Sequence, residues 1–155
     1  MPQADVLREI RATLRPLPGI RSTPDQPGDV ELADTVCLVY PGPGQSRPGT
    51  SSGRGGTPNR WQLDTVLIDV YRYLSDLARD METIEPLAEA VPAALMAAFA
   101  RDRFGGWVAT LGDPQTPGAI WPIRRTLIMP DKQGIQAVGY HFEFDVAYQV
   151  EILYD

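Results

Sequence analysis

Cysteine, lysine and histidine occur once each in 155 residues, as Cys37, Lys132 and His141. One cysteine excludes an intrachain disulfide framework and any Cys-x-x-Cys pair, and its apolar neighbours Val36, Leu38 and Val39 read as those of a buried structural thiol. One histidine leaves too little for a His-rich metal set, and no His-Glu-x-x-His helix is present. Basic residues are also in deficit. Fourteen of them against 20 acidic ones give a net charge of −6, which argues against a domain that grips nucleic acid over its whole surface. No uninterrupted apolar run of about 18 residues occurs, and no charged-then-apolar leader follows Met1, so neither a membrane span nor a cleaved export signal is expected and a cytoplasmic site of synthesis and residence follows.

What is abundant is glycine and proline, 14 and 15 residues. Ten of these 29 lie in residues 41–60, together with Arg47, Arg54 and Arg60 and no acidic residue. Such a stretch buries little and reads as a flexible loop within a single domain covering 1–155. Gly44 and Gly49 have the glycine spacing of a phosphate-binding loop, but position 50, where that motif needs lysine, is Thr50, and no helix is expected to follow.

The remainder patterns clearly. Val6, Leu7, Ile10 and Leu14 recur at helical spacing within 4–15. Residues 35–40 and 61–73 read as two strands of a hairpin whose tip is the Gly/Pro-rich loop. Ser75 or Asp76 can cap a helix with Leu77, Met81, Ile84, Ala88 and Val91 on one stripe and Asp80, Glu82, Glu85 and Glu89 on the wet side. Pro86 should kink it, and Pro92 should open a second helix over 93–103 with Leu95, Met96 and Phe99 inward. Strands are expected over 107–111 and 120–129, the latter carrying Arg124 and Arg125 on opposite faces. From Val138 to Tyr154 every second residue is apolar or aromatic, which makes the last strand core on one face and wet on the other. Seventeen residues would span more than about 50 Å, so a bulge, a bend or a projecting end is expected. The implied fold is α/β in the α+β sense: a mixed, mostly antiparallel sheet of four to five strands with helices on one face and a long flexible hairpin loop. Its core should hold Val39, Val66, Ile68, Val70, Leu77, Met81, Ile84, Leu95, Phe99, Phe142, Phe144, Val146 and Val150.

His141, Glu143 and Asp145 share a face of that last strand and have the residue types for metal ligation or acid–base work, although a solvated sheet face needs polar residues there in any case. Without a catalytic motif, an assembly role is the better reading, and no cofactor is expected. Trp61, Trp107 and Trp121 fall near strand ends, where flat rings serve interfaces.

The element order resembles that of the tail terminator proteins of long-tailed phages, the minor tail protein U type. The resemblance is carried by the helix, proline, helix stretch from Met81-Glu82 through Pro86 to Pro92-Ala93-Ala94-Leu95, by the strand over 61–71 before it and by the aromatic strand over 140–154. It implies a non-enzymatic virion protein, assembled in the host cytoplasm, that forms a six-membered ring on the head-proximal end of the tail tube. Such a ring ends tube growth and offers a surface to the head-tail connector or stopper protein. Its partners would be itself, the major tail tube protein and that connector, with DNA passing through the lumen without sequence specificity and no membrane. Interface residues on the loop side would be Arg47, Arg54, Arg60 and Trp61, and on the acidic strand Glu143, Asp145 and Glu151. The loop carries +3 and residues 138–155 carry −4, opposite patches suited to a head-to-tail ring contact. Two alternatives stand beside this: a connector or stopper of the phage neck, and a small ligand-binding or hydrolase domain using His141 with Glu143 or Asp145.

Overall fold

The structure, a computed structural model, describes residues 2–20, 23, 35–42, 47–52, 58–108, 110–111, 123–131, 134 and 136–149. Helix α1 (Pro2–Leu14) precedes strands β1 (Val36–Pro41), β2 (Arg47–Ser52) and β3 (Pro58–Tyr73), helices α2 (Leu77–Ile84) and α3 (Leu87–Asp102), and strands β4 (Thr110–Leu111), β5 (Arg124–Ile128) and β6 (Ala137–Gln149). All described pairings are antiparallel. The sheet is four rows wide. β3 and β6 form its centre, paired from Trp61↔Gln149 to Tyr73↔Ala137. β1 and β2 follow one another along the outer side of β3, and β4 and β5 do the same along β6. This is the α+β sheet with helices on one face that the sequence implies.

Alternation in β3 and β6 sends Val66, Ile68, Val70, Phe142, Phe144 and Val146 to one side, where they meet Val6, Ile10 and Leu14 of α1 and Leu87, Val91 and Leu95 of α3 in one buried cluster. Cys37 and Val39 join it from β1. Arg11 of α1 donates to the Val39 carbonyl at 2.8 Å, which ties the helix to the sheet edge. Gly139 stands opposite Tyr71 in the β3–β6 register, and a Cβ there would run into the Val70 carbonyl and stand 2.7 Å from the Tyr71 Cα.

Several local expectations are corrected. Strand pairing runs through part of 41–60, because Arg47–Ser52 pairs with Pro58–Leu63 in register Arg47↔Leu63 to Ser52↔Pro58. Proline does not prevent this: Pro41 ends β1, Pro58 begins β3 and Pro48 is on an outer row. Residues 43–46 and 53–57 lie outside the described residues. Asp80 is fully buried rather than wet, and Leu77 is 44% exposed rather than core. Met81 and Phe99 are half-buried, and Val150 lies outside the described residues.

Pro92 is inside α3 and does not start it. A proline at that position deprives the Ala88 carbonyl, four residues back, of its helical donor. The missing bond is replaced from across the domain, since Arg125 Nη1 donates to the Ala88 carbonyl at 3.2 Å while its guanidinium lies 5.6 Å from the centre of the Tyr140 ring. Arg124 and Arg125 do point to opposite faces, as their neighbours show.

The segment Leu77–Asp102 is long and apolar enough to cross a membrane by length and composition, at mean hydropathy 1.3. It is broken at Glu85 and Pro86, carries the buried Asp80, and spends Ile84, Leu87, Val91 and Leu95 on the core. Asp76 caps its first helix by accepting from the Arg79 N–H.

Candidate functional site

The helices cover one side of the sheet; the other side carries the polar set that sequence alternation places on β6. In register, His141, Glu143 and Asp145 stand opposite Asp69, Leu67 and Thr65 of β3. Asp69 Oδ1 is 2.5 Å from His141 Nδ1, and Asp69 Oδ2 accepts from the Tyr40 hydroxyl at 2.6 Å. On the far side of the ring, Nε2 faces Glu143 Oε2 at 3.9 Å, and Glu143 Oε1 accepts from Arg124 Nη2 at 2.7 Å. The chain Tyr40, Asp69, His141, Glu143, Arg124 therefore crosses all four rows, one or two residues from each of β1, β3, β6 and β5. Asp145 accepts from Thr65 Oγ1 at 2.7 Å beside it.

Electrostatics follow from this packing. Burial, then the hydrogen bond to Asp69 and its negative charge, push the Tyr40 phenol well above its ordinary range. Tyr71, edge-on to Tyr73 with ring centres 5.7 Å apart, is pushed up to about 12 by burial and then by Tyr73 and Asp69. Cys37 is raised to about 12 by burial and by Asp69, which leaves it a thiol and a poor nucleophile at neutral pH.

Of the residues singled out from sequence, the structure brings His141, Glu143 and Asp145 onto one face and adds Asp69, Tyr40 and Arg124. The signal for Asp69 was present: it is the one charge in the apolar run Val66 to Tyr71. Its partner was not legible, because 72 residues separate it from His141. Arg47, Arg60 and Trp61 fall on β2 and β3 at the outer end of the sheet, while Arg54 and Glu151 lie outside the described residues. Trp107 is 42% exposed in the turn after α3, and Trp121 lies outside the described residues.

No protein-family model matches the chain, and no curated protein does.

The chemistry available is that of a network in which every polar group meets another. Gly49-Thr50-Ser51-Ser52-Gly53 has Gly-x-Ser-x-Gly spacing, but Ser51 is inside β2 opposite Asn59, whereas a nucleophile elbow needs a sharp turn from strand to helix. Among the described residues no three His, Cys, Asp or Glu side chains are placed to hold a metal ion. A groove of about 660 Å³ between α3 and β5 is lined by Ala88, Glu89, Pro92, Ala93, Ile123 and Arg125, and its guanidinium is already engaged by the Ala88 carbonyl.

The second polar cluster lies where α2 meets the sheet. Asp80 accepts from the N–H groups of Ser75 and Asp76 at 2.9 and 3.1 Å and from Arg72 Nε at 3.3 Å, while Arg72 Nη1 donates to Thr35 Oγ1 at 3.0 Å. Burial opposes the Asp80 charge; the two backbone donors and the guanidinium outweigh it and hold the carboxyl below its ordinary range. This cluster anchors α2 and the start of β1 to β3.

Proposed function

We propose that the chain is a non-enzymatic structural protein of a phage virion, a tail terminator that forms a ring, six-membered, at the head-proximal end of the tail tube. There it ends tube polymerisation and joins tail to head through a connector or stopper protein. The observation that carries this reading is the reach of β3. Its 16 residues span about 50 Å at roughly 3.3 Å each, against about 40 Å for the diameter of a compact 155-residue domain. Among the described residues, Pro58–Arg60 pairs with β2, and the described β3–β6 pairing ends at Trp61↔Gln149. A strand longer than the domain is wide carries the β2–β3 hairpin to the edge of the molecule, where it can lie against another surface. Arg47 on β2 and Arg60 and Trp61 on β3, together with Arg54, would meet a neighbouring subunit or the tube, with DNA passing the lumen unread. Glu143, Asp145 and Glu151 of the acidic strand supply a second interface.

The test is deletion of residues 44–56. The shortened protein should remain folded and fail to cap tail tubes, leaving tubes of uncontrolled length. Tails of normal length from this variant would overturn the reading, and copurification with portal-side protein instead of tube protein would move the chain to the connector or stopper role.

The contact between Asp69 and His141 favours one competing reading, acid–base chemistry at that histidine in a small hydrolase. His141→Ala separates the two: virion assembly should survive it, and loss of a hydrolytic activity with folding intact would favour the enzyme.

A further inference from the structure

We propose that the turn after α3 and the adjoining part of α1 form a receiving site for an arginine side chain of a protein partner, its guanidinium stacked on Trp107 and paired with Glu9. The site does not depend on the tail-terminator reading.

Helix α3 ends at Asp102, and the chain then passes through four residues in the left-handed region: Arg103 at φ 54°, Phe104 at 53°, Gly105 at 74° and Gly106 at 85°. Glycine takes such angles freely, whereas Arg103 and Phe104 pay for them in steric strain. Among the described residues these are the two non-glycine positions with positive φ. Local bonding and burial hold them there. The Arg103 N–H donates to the Phe99 carbonyl at 2.9 Å, the Gly106 N–H to the Asp102 carbonyl at 2.7 Å and the Val108 N–H to the Arg103 carbonyl at 3.2 Å. Phe104 fills the core, with its ring centre 6.2 Å from that of Phe99. The turn pinned in this way carries Trp107, a large ring left 42% exposed.

Gly105 is where α1 meets the indole. A Cβ there would stand 3.3 Å from Glu9 Cδ, 3.4 Å from Glu9 Oε1 and 3.4 Å from Trp107 Cδ1, so a carboxylate and an indole converge on one point beside a residue with no side chain. That pair of groups suits a guanidinium. The indole face attracts and stacks on a planar cation, and a carboxylate accepts two parallel N–H bonds from its fork. An ammonium, compact and strongly hydrated, gains less from the ring. Neither group is used within the chain: among the described residues no hydrogen bond or ion pair engages the Glu9 carboxylate, and the described cation on a ring is Arg125, over Tyr140. The arginines nearby in sequence do not fill the site. Arg8 lies 2.6 Å from Asp5 and Arg101 3.8 Å from Asp102, while Arg103 makes no ion pair among the described residues. The net charge of −6 favours the approach of a cationic partner.

The experiment titrates the full chain at low ionic strength with a blocked tetra-arginine peptide and follows the Trp107 indole N–H and the Glu9 amide by NMR, the indole signal being assigned by its loss in W107F. Both signals should shift and saturate together. E9Q and W107L, checked for folding by circular dichroism, should each weaken binding about threefold or more. If W107L does not fold, W107F takes its place and should weaken binding about twofold, because its ring attracts a cation less. E82Q removes the same charge from an exposed position on α2 and should bind as the wild type does. A tetra-lysine peptide should bind more weakly than tetra-arginine, and a tetra-citrulline peptide, of the same shape without charge, should not bind. No saturable binding of tetra-arginine, or shifts that spare Trp107 and Glu9, would overturn the site. So would folded E9Q or Trp107 variants that bind like wild type, an E82Q loss as large as that of E9Q, or equal binding of the citrulline peptide. Equal binding of tetra-lysine would overturn the assignment to a guanidinium.

Discussion

Replacing Asp80 by alanine is expected to destabilise the protein by about 3 kcal/mol. The side chain is fully buried and gathers two backbone N–H groups and the Arg72 guanidinium. Each orphaned buried donor costs about 1–3 kcal/mol, and breaking a buried pair costs about 3–5 kcal/mol. The lower end applies because Arg72 is 23% exposed and keeps its bond to Thr35. Asp80→Asn, which preserves an acceptor but no charge, should cost about 2 kcal/mol on the same reasoning. Urea unfolding at neutral pH measures both differences. Acid titration supplies the sign. Asp80 is held below its ordinary range in the folded state, so its charge stabilises the protein above the unfolded value of about 3.9 and that contribution is lost as pH falls through the folded value. The gap between wild type and Asp80→Asn should therefore be constant from neutral pH down to about 5 and shrink below about 4. A loss under about 1 kcal/mol for Asp80→Ala, or a gap that does not shrink in acid, would refute the argument.

Four further outcomes are expected. Arg125→Met should cost about 1–2 kcal/mol by orphaning the Ala88 carbonyl, and the cost should largely vanish in a Pro92→Ala background, where the helix supplies its own donor; a double-mutant cycle in urea reads the coupling. Gly139→Ala should destabilise by about 3 kcal/mol or more through collision with β3, whereas Gly134→Ala, whose nearest neighbour would be 3.8 Å away, should leave the thermal midpoint almost unchanged. Cys37, buried with its pKa raised to about 12, should resist a thiol reagent in native protein and react at once in denaturant. Tyr40→Phe should cost about 1 kcal/mol, the value of its bond to Asp69, in a chemical denaturation series.

Patterns that repeat within a few residues were legible. The alternation of β6 placed Phe142, Phe144 and Val146 in the core and His141, Glu143 and Asp145 on the other side, as the structure has them. The pairing of β1 with β3 and the cap at Asp76 also read directly from strand patterning and capping chemistry. Pattern failed where a partner distant in sequence changes a residue's environment. Asp80 looks like any polar helix residue until Arg72 and the Ser75 and Asp76 amides surround it. Pro92 looks like a helix start until Arg125, 33 positions later, is found holding the carbonyl that proline leaves without a donor.

The sequence by itself determined the periodicities, and with them the α+β class and which residues share a face, because side-chain direction along a helix or strand depends only on local backbone geometry. Only the tertiary structure decided which faces meet. The register of β3 on β6 sets Asp69 against His141, and the placement of β1 and β5 on the outer rows extends that pair to Tyr40 and Arg124. A shift of one residue in any of these pairings would turn the polar set toward the core, so the site exists by virtue of strand register, which long-range packing decides and local pattern leaves open.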